Sequence, residues 1–325
     1  MMKVGNVARY AIGVDIGGTK VAAGLVNEQG EILLQLRKPM PAKGTAAEGL
    51  GAVKSAIDAV FEAKPDARPD ISRIGLCAPG PLDPIKGIII NPPNVPCWRN
   101  YPLAEEIRRA YELPVCLEND GKAAALAEVR WGAGRGYRIV FYATLGTGIG
   151  TGFILDGKIY HGRTGAAGEG GHVSIDYRGP RCACGKLGCI EALAAGPAIA
   201  ERARQKLLAA NSPESKLLNL ARGDVRAVTS EMVDEAFVAG DPIARATLEE
   251  TADLLTVWIG NTIDLLEPEI IVIGGGVAKM LAPFFDRIRE KLPEWCINPT
   301  PLEIPIVHAR YESDSGIAGA AALGG

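Results

Sequence analysis

The chain has 325 residues, 47% of them hydrophobic and 22% charged, an ordinary globular composition with length enough for two domains. Its net charge of −3 argues against nucleic acid or an anionic membrane as a partner, so any small anion must be held by local groups. No segment approaches the roughly 20 apolar residues of a membrane span, and the apolar run in MMKVGNVARYAIGVDIGG is broken by Asp15 and glycines, with no signal-type cleavage site after it. A cytoplasmic protein is expected, with its seven cysteines as free thiols or metal ligands rather than disulfides.

In chain order, residues 11–15 form a short apolar strand ending at Asp15, Gly17 and Gly18 make a tight turn, and 21–26 form a second strand. NEQG is a turn signal, and EILLQLR alternates as a third strand. A helix is predicted over 46–63, with Leu50, Val53, Ala56, Ile57 and Val60 on one face. RIGLCAPGP reads as a buried strand, NPPNVPCW as a loop and 103–111 as a helix. PVCLEND is a strand that runs into the helix GKAAALAEVRW.

The pattern then restarts. RIVFYATLGTGIGTGFILDGKIYHG reads strand, glycine turn, strand, Asp-Gly turn, strand, in the order and approximate length of the 11–37 stretch. Two copies of one meander predict a duplicated α/β fold with a cleft between its halves. Helical spacing follows over 192–209, 229–239 and 242–266. EIIVIGGGVAKMLAPFFDRIREKL reads strand, glycine turn, helix, and SGIAGAAALGG is a small-residue helix.

Five stretches carry chemistry. DIGGTK places Asp15 at a strand end beside Gly17, Gly18, Thr19 and Lys20, where backbone N–H groups can approach a phosphate and Asp15 can hold Mg²⁺ through water. A plain hairpin turn is the other reading of the same residues. LGTGIGTG, with Gly146, Thr147 and Gly148, is the matching turn of the second copy, and Gly274, Gly275 and Gly276 form a third between a strand and a helix. In END, Asp120 is either a helix N-cap or a general base toward a substrate hydroxyl, with Asn119 beside it. His172, Cys182, Cys184 and Cys189 follow H-x9-C-x-C-x4-C, one imidazole and three thiols, the donor set of a closed structural zinc site; three small core thiols are the alternative. Glu169 and Glu191 flank this segment. His161, His308 and the cysteines at 77, 97, 116 and 296 carry no spacing signal and read as surface or satisfied core residues.

With DIGGTK, END, LGTGIGTG, GEGGH and CACGKLGC all present in order, the chain resembles the ROK family of bacterial sugar kinases, most of all its glucokinase branch, from about residue 11 to the end. The resemblance implies an actin-like and hexokinase-like (ribonuclease H-like) α/β fold with two domains flanking a cleft. Residues 1–121, joined by a helix at 313–325, would be the smaller domain, and 122–312 the larger one with the zinc knot. It also implies ATP-dependent phosphorylation of glucose at the 6-hydroxyl; N-acetylglucosamine, N-acetylmannosamine, mannose and fructose are alternative substrates within the same family. By this resemblance Asp120 is the base, Asn119, Glu169, His172 and Glu191 bind sugar hydroxyls, and Gly80 and Asn94 lie near the sugar. Asp15, Gly17, Gly18, Thr19, Lys20, Gly146 to Gly148 and Gly274 to Gly276 serve the nucleotide, with Mg²⁺ beside it and a structural Zn²⁺ on His172 and the three cysteines. A homodimer or homotetramer is the implied assembly. A transcriptional regulator of the family would need a DNA-binding module, and a sugar sensor without turnover would be expected to lack Asp120 or a phosphate turn.

Overall fold

The computed structural model describes residues 9–210 and 215–325. The chain divides into two compact units. The first runs from the first described residue to Tyr142 and adds Gly152–Gly168 and Arg310–Gly325; the second comprises Ala143–Thr151 and Glu169–Ala309.

The first unit opens with the expected antiparallel meander, β1 (Tyr10–Ile16), β2 (Lys20–Asn27) and β3 (Ile32–Pro39). Helix α1 (Ala46–Ala63) follows, started by a reciprocal cap in which the Thr45 side chain accepts from the Glu48 N–H and the Glu48 carboxylate accepts from the Thr45 N–H. Its Val53, Ala56, Ile57, Val60 and Phe61 are buried, the stripe that helical periodicity demands of a helix laid on a sheet. Next come β4 (Ile71–Ala78), the small ribbon β5 (Leu82–Asp83) and β6 (Ile88–Ile89), α2 (Leu103–Tyr111), β7 (Val115–Asn119) and α3 (Asp120–Trp131). The sheet order is β3-β2-β1-β4-β7, with β1, β4 and β7 parallel. Ile12, Val14, Ile57 and Leu76 are fully buried in the core against it, each contributing about 1.5–3 kcal/mol. The register pairs Asp15 with Cys77 and Cys77 with Glu118, so the carboxyl ends of the three parallel strands share one edge. Ligands of open α/β sheets gather at such edges.

A second five-stranded sheet repeats the plan in the order β10-β9-β8-β11-β12, from β8 (Ile139–Leu145), β9 (Ile149–Leu155), β10 (Lys158–Ile159), β11 (Ile270–Gly274) and β12 (Ile306–His308). Here β10 has two residues where β3 has eight. The helices between are α4 (Ile190–Ala194), α5 (Gly196–Ala210), α6 (Lys216–Leu220), α7 (Ser230–Val238), α8 (Pro242–Leu266), α9 (Gly276–Leu281) and α10 (Phe285–Lys291). Two predicted helices are interrupted. The 192–209 pattern breaks at Ala195, whose backbone is extended, because the Gly196 N–H donates to the Gly146 carbonyl at 2.8 Å instead of continuing a helix. The helix after the third glycine turn breaks at Pro283, which lacks an N–H to donate and narrows the chain into a 3-10 turn.

The last element, α11 (Ser315–Ala322), belongs to the first unit. A Cβ on Gly75 would stand 1.7 Å from the Ala320 carbonyl oxygen, and one on Gly13 would stand 2.0 Å from that of Ile317. The small residues on both sides are therefore what lets this helix lie backbone-to-backbone on β1 and β4. Helix α3 packs on α11 as well and falls in the first unit with Gly152–Gly168, whereas the division expected from the sequence began the larger domain at residue 122. Among the described residues no helix is long and apolar enough to cross a membrane.

Candidate functional site

In the first unit, the predicted residues gather at the strand-end edge and the loops beside it. The β1–β2 turn is closed by the Gly17 N–H on the Lys20 carbonyl at 2.9 Å, leaving Thr19 and Lys20 exposed. Gly18 meets the loop that follows β6: a Cβ there would lie 2.6 Å from the Asn94 carbonyl oxygen. Gly80 lies next to Asn119, with 3.8 Å between its would-be Cβ and the Asn119 Nδ2. Asp15 accepts from the Cys77 thiol at 3.6 Å, and burial raises its carboxyl above the ordinary range, opposed by Cys77, Lys20 and Arg37. The Cys77 thiol is pushed well up by burial first, then by the charges of Asp15 and Asp120. Two carboxylates therefore act on one buried sulfur.

The helix cap is Asn119, not Asp120. The Asn119 Oδ1 accepts from the N–H groups of Gly121 at 3.0 Å and Lys122 at 3.3 Å, while Asp120 opens α3 as its first helical residue. Asp120 is exposed, and its Oδ1 also accepts from Gly121 N–H at 2.8 Å. With the Asn119 oxygen committed to the cap, its amide nitrogen is the end available to a ligand.

The second unit assembles the remaining residues. The turn 146–148 is closed by the Gly146 N–H on Gly148 O at 2.9 Å, with Thr147 exposed. Gly275 has φ of +92°, and a Cβ on it would stand 2.2 Å from the Leu145 carbonyl, so the third glycine turn lies against the second. Glu191, in the first turn of α4, lies beside the 146–148 turn: its Oε2 accepts from Ile149 N–H at 2.9 Å, and its Oε1 lies 3.9 Å from His172 Nδ1. The GEGGH segment folds as a short 3-10 turn in which the His172 N–H donates to the Glu169 carbonyl at 3.0 Å, with the Glu169 side chain exposed. It is fixed by Trp258 Nε1 donating to Gly170 O at 3.1 Å and by Gly170 N–H donating to Thr151 Oγ1 at 2.7 Å.

The ligand atoms of His172, Cys182, Cys184 and Cys189 all lie within 4.8 Å of one another. Cys184 Sγ is 3.6 Å from Cys189 Sγ, and Cys182 Sγ is 3.7 Å from His172 Nδ1. Four donors about 2.0–2.3 Å from one tetrahedral ion stand about 3.5–3.8 Å apart, so this set fits zinc with Nδ1 as the imidazole ligand. Gly188, at φ of +63°, lets the loop close over Asp176, whose carbonyl would be 1.6 Å from a Cβ there. Burial, then the Cys184 and Cys182 thiols, pushes the Cys189 thiol up to about 12. A cation among the four would reverse that, since a coordinated thiol is deprotonated.

Two residues of this region carry no spacing signal: Cys77 at the strand-end edge, and His161, which binds Glu118. Cys77 is 62 positions from Asp15 and meets it only through parallel register. Glu118, the first letter of END, was the available hint, because a carboxylate inside an apolar strand requires a partner.

The glucokinase of Streptomyces coelicolor is 34% identical over 316 residues, 96% of each chain. An N-acetylmannosamine kinase of Salmonella typhi is 29% identical over 312 residues, 96% of this chain and 97% of its own. The crystal structure of a ROK family glucokinase from Streptomyces griseus in complex with glucose and AMPPNP is 34% identical and superposes with a TM-score of 0.81, covering 97% of this chain and 98% of that one. The duplicated sheets are thus those of the actin-like and hexokinase-like sugar kinases. The ROK family pattern matches residues 11–324, nearly the whole sequence, and the chain belongs to the ROK family.

Proposed function

We propose that this protein is a glucokinase, transferring the terminal phosphoryl group of ATP to the 6-hydroxyl of glucose. The observation that carries the reading is the placement of Asp120: an exposed carboxylate at the carboxyl end of a parallel strand, with Asn119 beside it as the helix cap. Similarity to glucokinases at 34% identity across nearly the whole chain supports the choice of sugar. Asp120 accepts the hydroxyl proton as the oxygen attacks phosphorus. The Asn119 amide, Gly80, Asn94, Glu169, His172 and Glu191 hold the sugar, offering donors and acceptors to hydroxyls that are both. Gly17 to Lys20, Gly146 to Gly148 and Gly274 to Gly276 hold the nucleotide, chiefly through backbone N–H groups. Asp15 would hold Mg²⁺ through water, and the bound ion supplies neutralisation of phosphate charge. His172, Cys182, Cys184 and Cys189 would hold zinc as a structural cross-link, which leaves the Nε2 of His172 for a sugar hydroxyl.

The 29% identical N-acetylmannosamine kinase makes an N-acetylhexosamine the second reading. The measurement that separates them is kcat/KM with MgATP across glucose, mannose, fructose, N-acetylglucosamine and N-acetylmannosamine. Glucose should lead by about tenfold or more, because a site that bonds each hydroxyl penalises an analogue that leaves its groups unpaired. A lead for either N-acetyl sugar overturns the substrate and leaves the base and zinc assignments standing; no turnover of any hexose overturns the kinase reading. We place the enzyme in the cytoplasm, where ATP is available and the cysteines that stand as free thiols would stay reduced. Its assembly is proposed as a homodimer or homotetramer, measurable by light scattering.

A further inference from the structure

Glu118 is the penultimate residue of β7, directly before Asn119, and is 3% exposed. A buried carboxylate costs several kcal/mol unless its oxygens are bonded. Here both are: Oε1 accepts from the Asn119 N–H at 2.8 Å, and Oε2 lies 2.5 Å from His161 Nε2. His161 sits just past β10, with its side chain 34% exposed, at the start of a loop closed by the Ala167 N–H on the His161 carbonyl at 3.1 Å. The same loop has a second tie, from the buried Lys122 in the first turn of α3, whose Nζ donates to the Gly165 carbonyl at 2.6 Å. The loop is thus fastened on both sides of the Asn119–Asp120 pair, to the residue before it and to the second residue after it, all within the first unit.

We propose that His161, acting through Glu118, is a positioning residue for Asn119 and Asp120. The imidazole N–H fixes the Glu118 carboxylate. The other oxygen of that carboxylate fixes the peptide N–H of Asn119, and with it the direction in which the two following side chains leave the strand end. The inference rests on the kinase reading and refines it: a base displaced by about 1 Å loses on the order of a hundredfold in rate, so a bond that sets its angle acts on kcat.

Glucose turnover by the wild-type protein tests the kinase reading alone, and the ratio of two variants tests this inference. Gln at position 161 carries an amide N–H of similar reach, whereas Met has the same length and no donor. His161→Gln should recover most of the wild-type kcat, within about threefold, and His161→Met should lose about tenfold or more. The KM for ATP should agree between the variants within about twofold, and their melting temperatures within about 3 °C. Equal kcat in the two variants, a loss confined to KM, a loss that tracks melting temperature, or failure of both to fold would each overturn the assignment.

Discussion

Asp120→Asn should fold normally and lose on the order of 10²-fold or more in kcat, with little change in the KM for glucose. The substitution keeps shape and an acceptor oxygen for the Gly121 N–H, and removes only the capacity to take a proton. Stability should hold because the cap of α3 is the neighbouring residue: Asn119 accepts from both Gly121 and Lys122. The paired control is Asn119→Ala, which should cost about 0.5–2 kcal/mol in unfolding free energy by removing that cap, as well as weakening sugar binding. Thermal melts and steady-state kinetics on the two variants separate the roles. Wild-type turnover in Asp120→Asn would show that residue to be a mere first-turn acid and would remove the base from the mechanism.

Cys184→Ser should lower the melting temperature by about 5–10 °C and kcat/KM by about 10-fold or more. Cys184 is exposed, so neither effect can come from lost core packing. Its sulfur stands 3.6 Å from that of Cys189, and the backbone N–H of Lys186 is the first of the contacts that hold the Cys184 thiol below the ordinary range. Both effects trace to the ion: a hydroxyl is a poor replacement for a thiolate, and loosening the ligand set frees the imidazole of His172 and disturbs Glu191, 3.9 Å away. Metal analysis of the wild type should give about one zinc per chain, and of the variant much less. Active, unchelated wild-type protein without zinc would refute the site.

The repeat was legible because its signals are local: a strand, a glycine turn and a strand within about 25 residues, twice. The cluster of His172 with the three cysteines was legible for the same reason, since its four residues lie within 172–189. What sequence could not resolve was which of two adjacent good cap residues sits at the cap. Asn119 and Asp120 are equally suited by chemistry, and only the extended backbone of Asn119, at ψ of 142°, decides. Contacts between distant positions were equally hidden. The Glu118–His161 bond spans 43 positions, and the break at Ala195 is caused by a carbonyl at Gly146. The interruption at Pro283 was visible in the sequence, and helical periodicity on both sides masked it.

The backbone-to-backbone seat of α11 on β1 and β4 has a consequence for synthesis. The first unit cannot complete itself when its own strands leave the ribosome, because the helix that covers Gly13 and Gly75 follows the 141 residues of Glu169–Ala309. At about 5–20 residues per second, the open face of the sheet waits on the order of 10 seconds or more for its cover. During that interval it presents Ala11, Ala22 and Val26 to whatever else is in reach, since these are the apolar residues that Ile317 and Ala321 bury in the finished protein. Nascent chains stalled before residue 315 should therefore bind a holdase chaperone, and completed chains should release it.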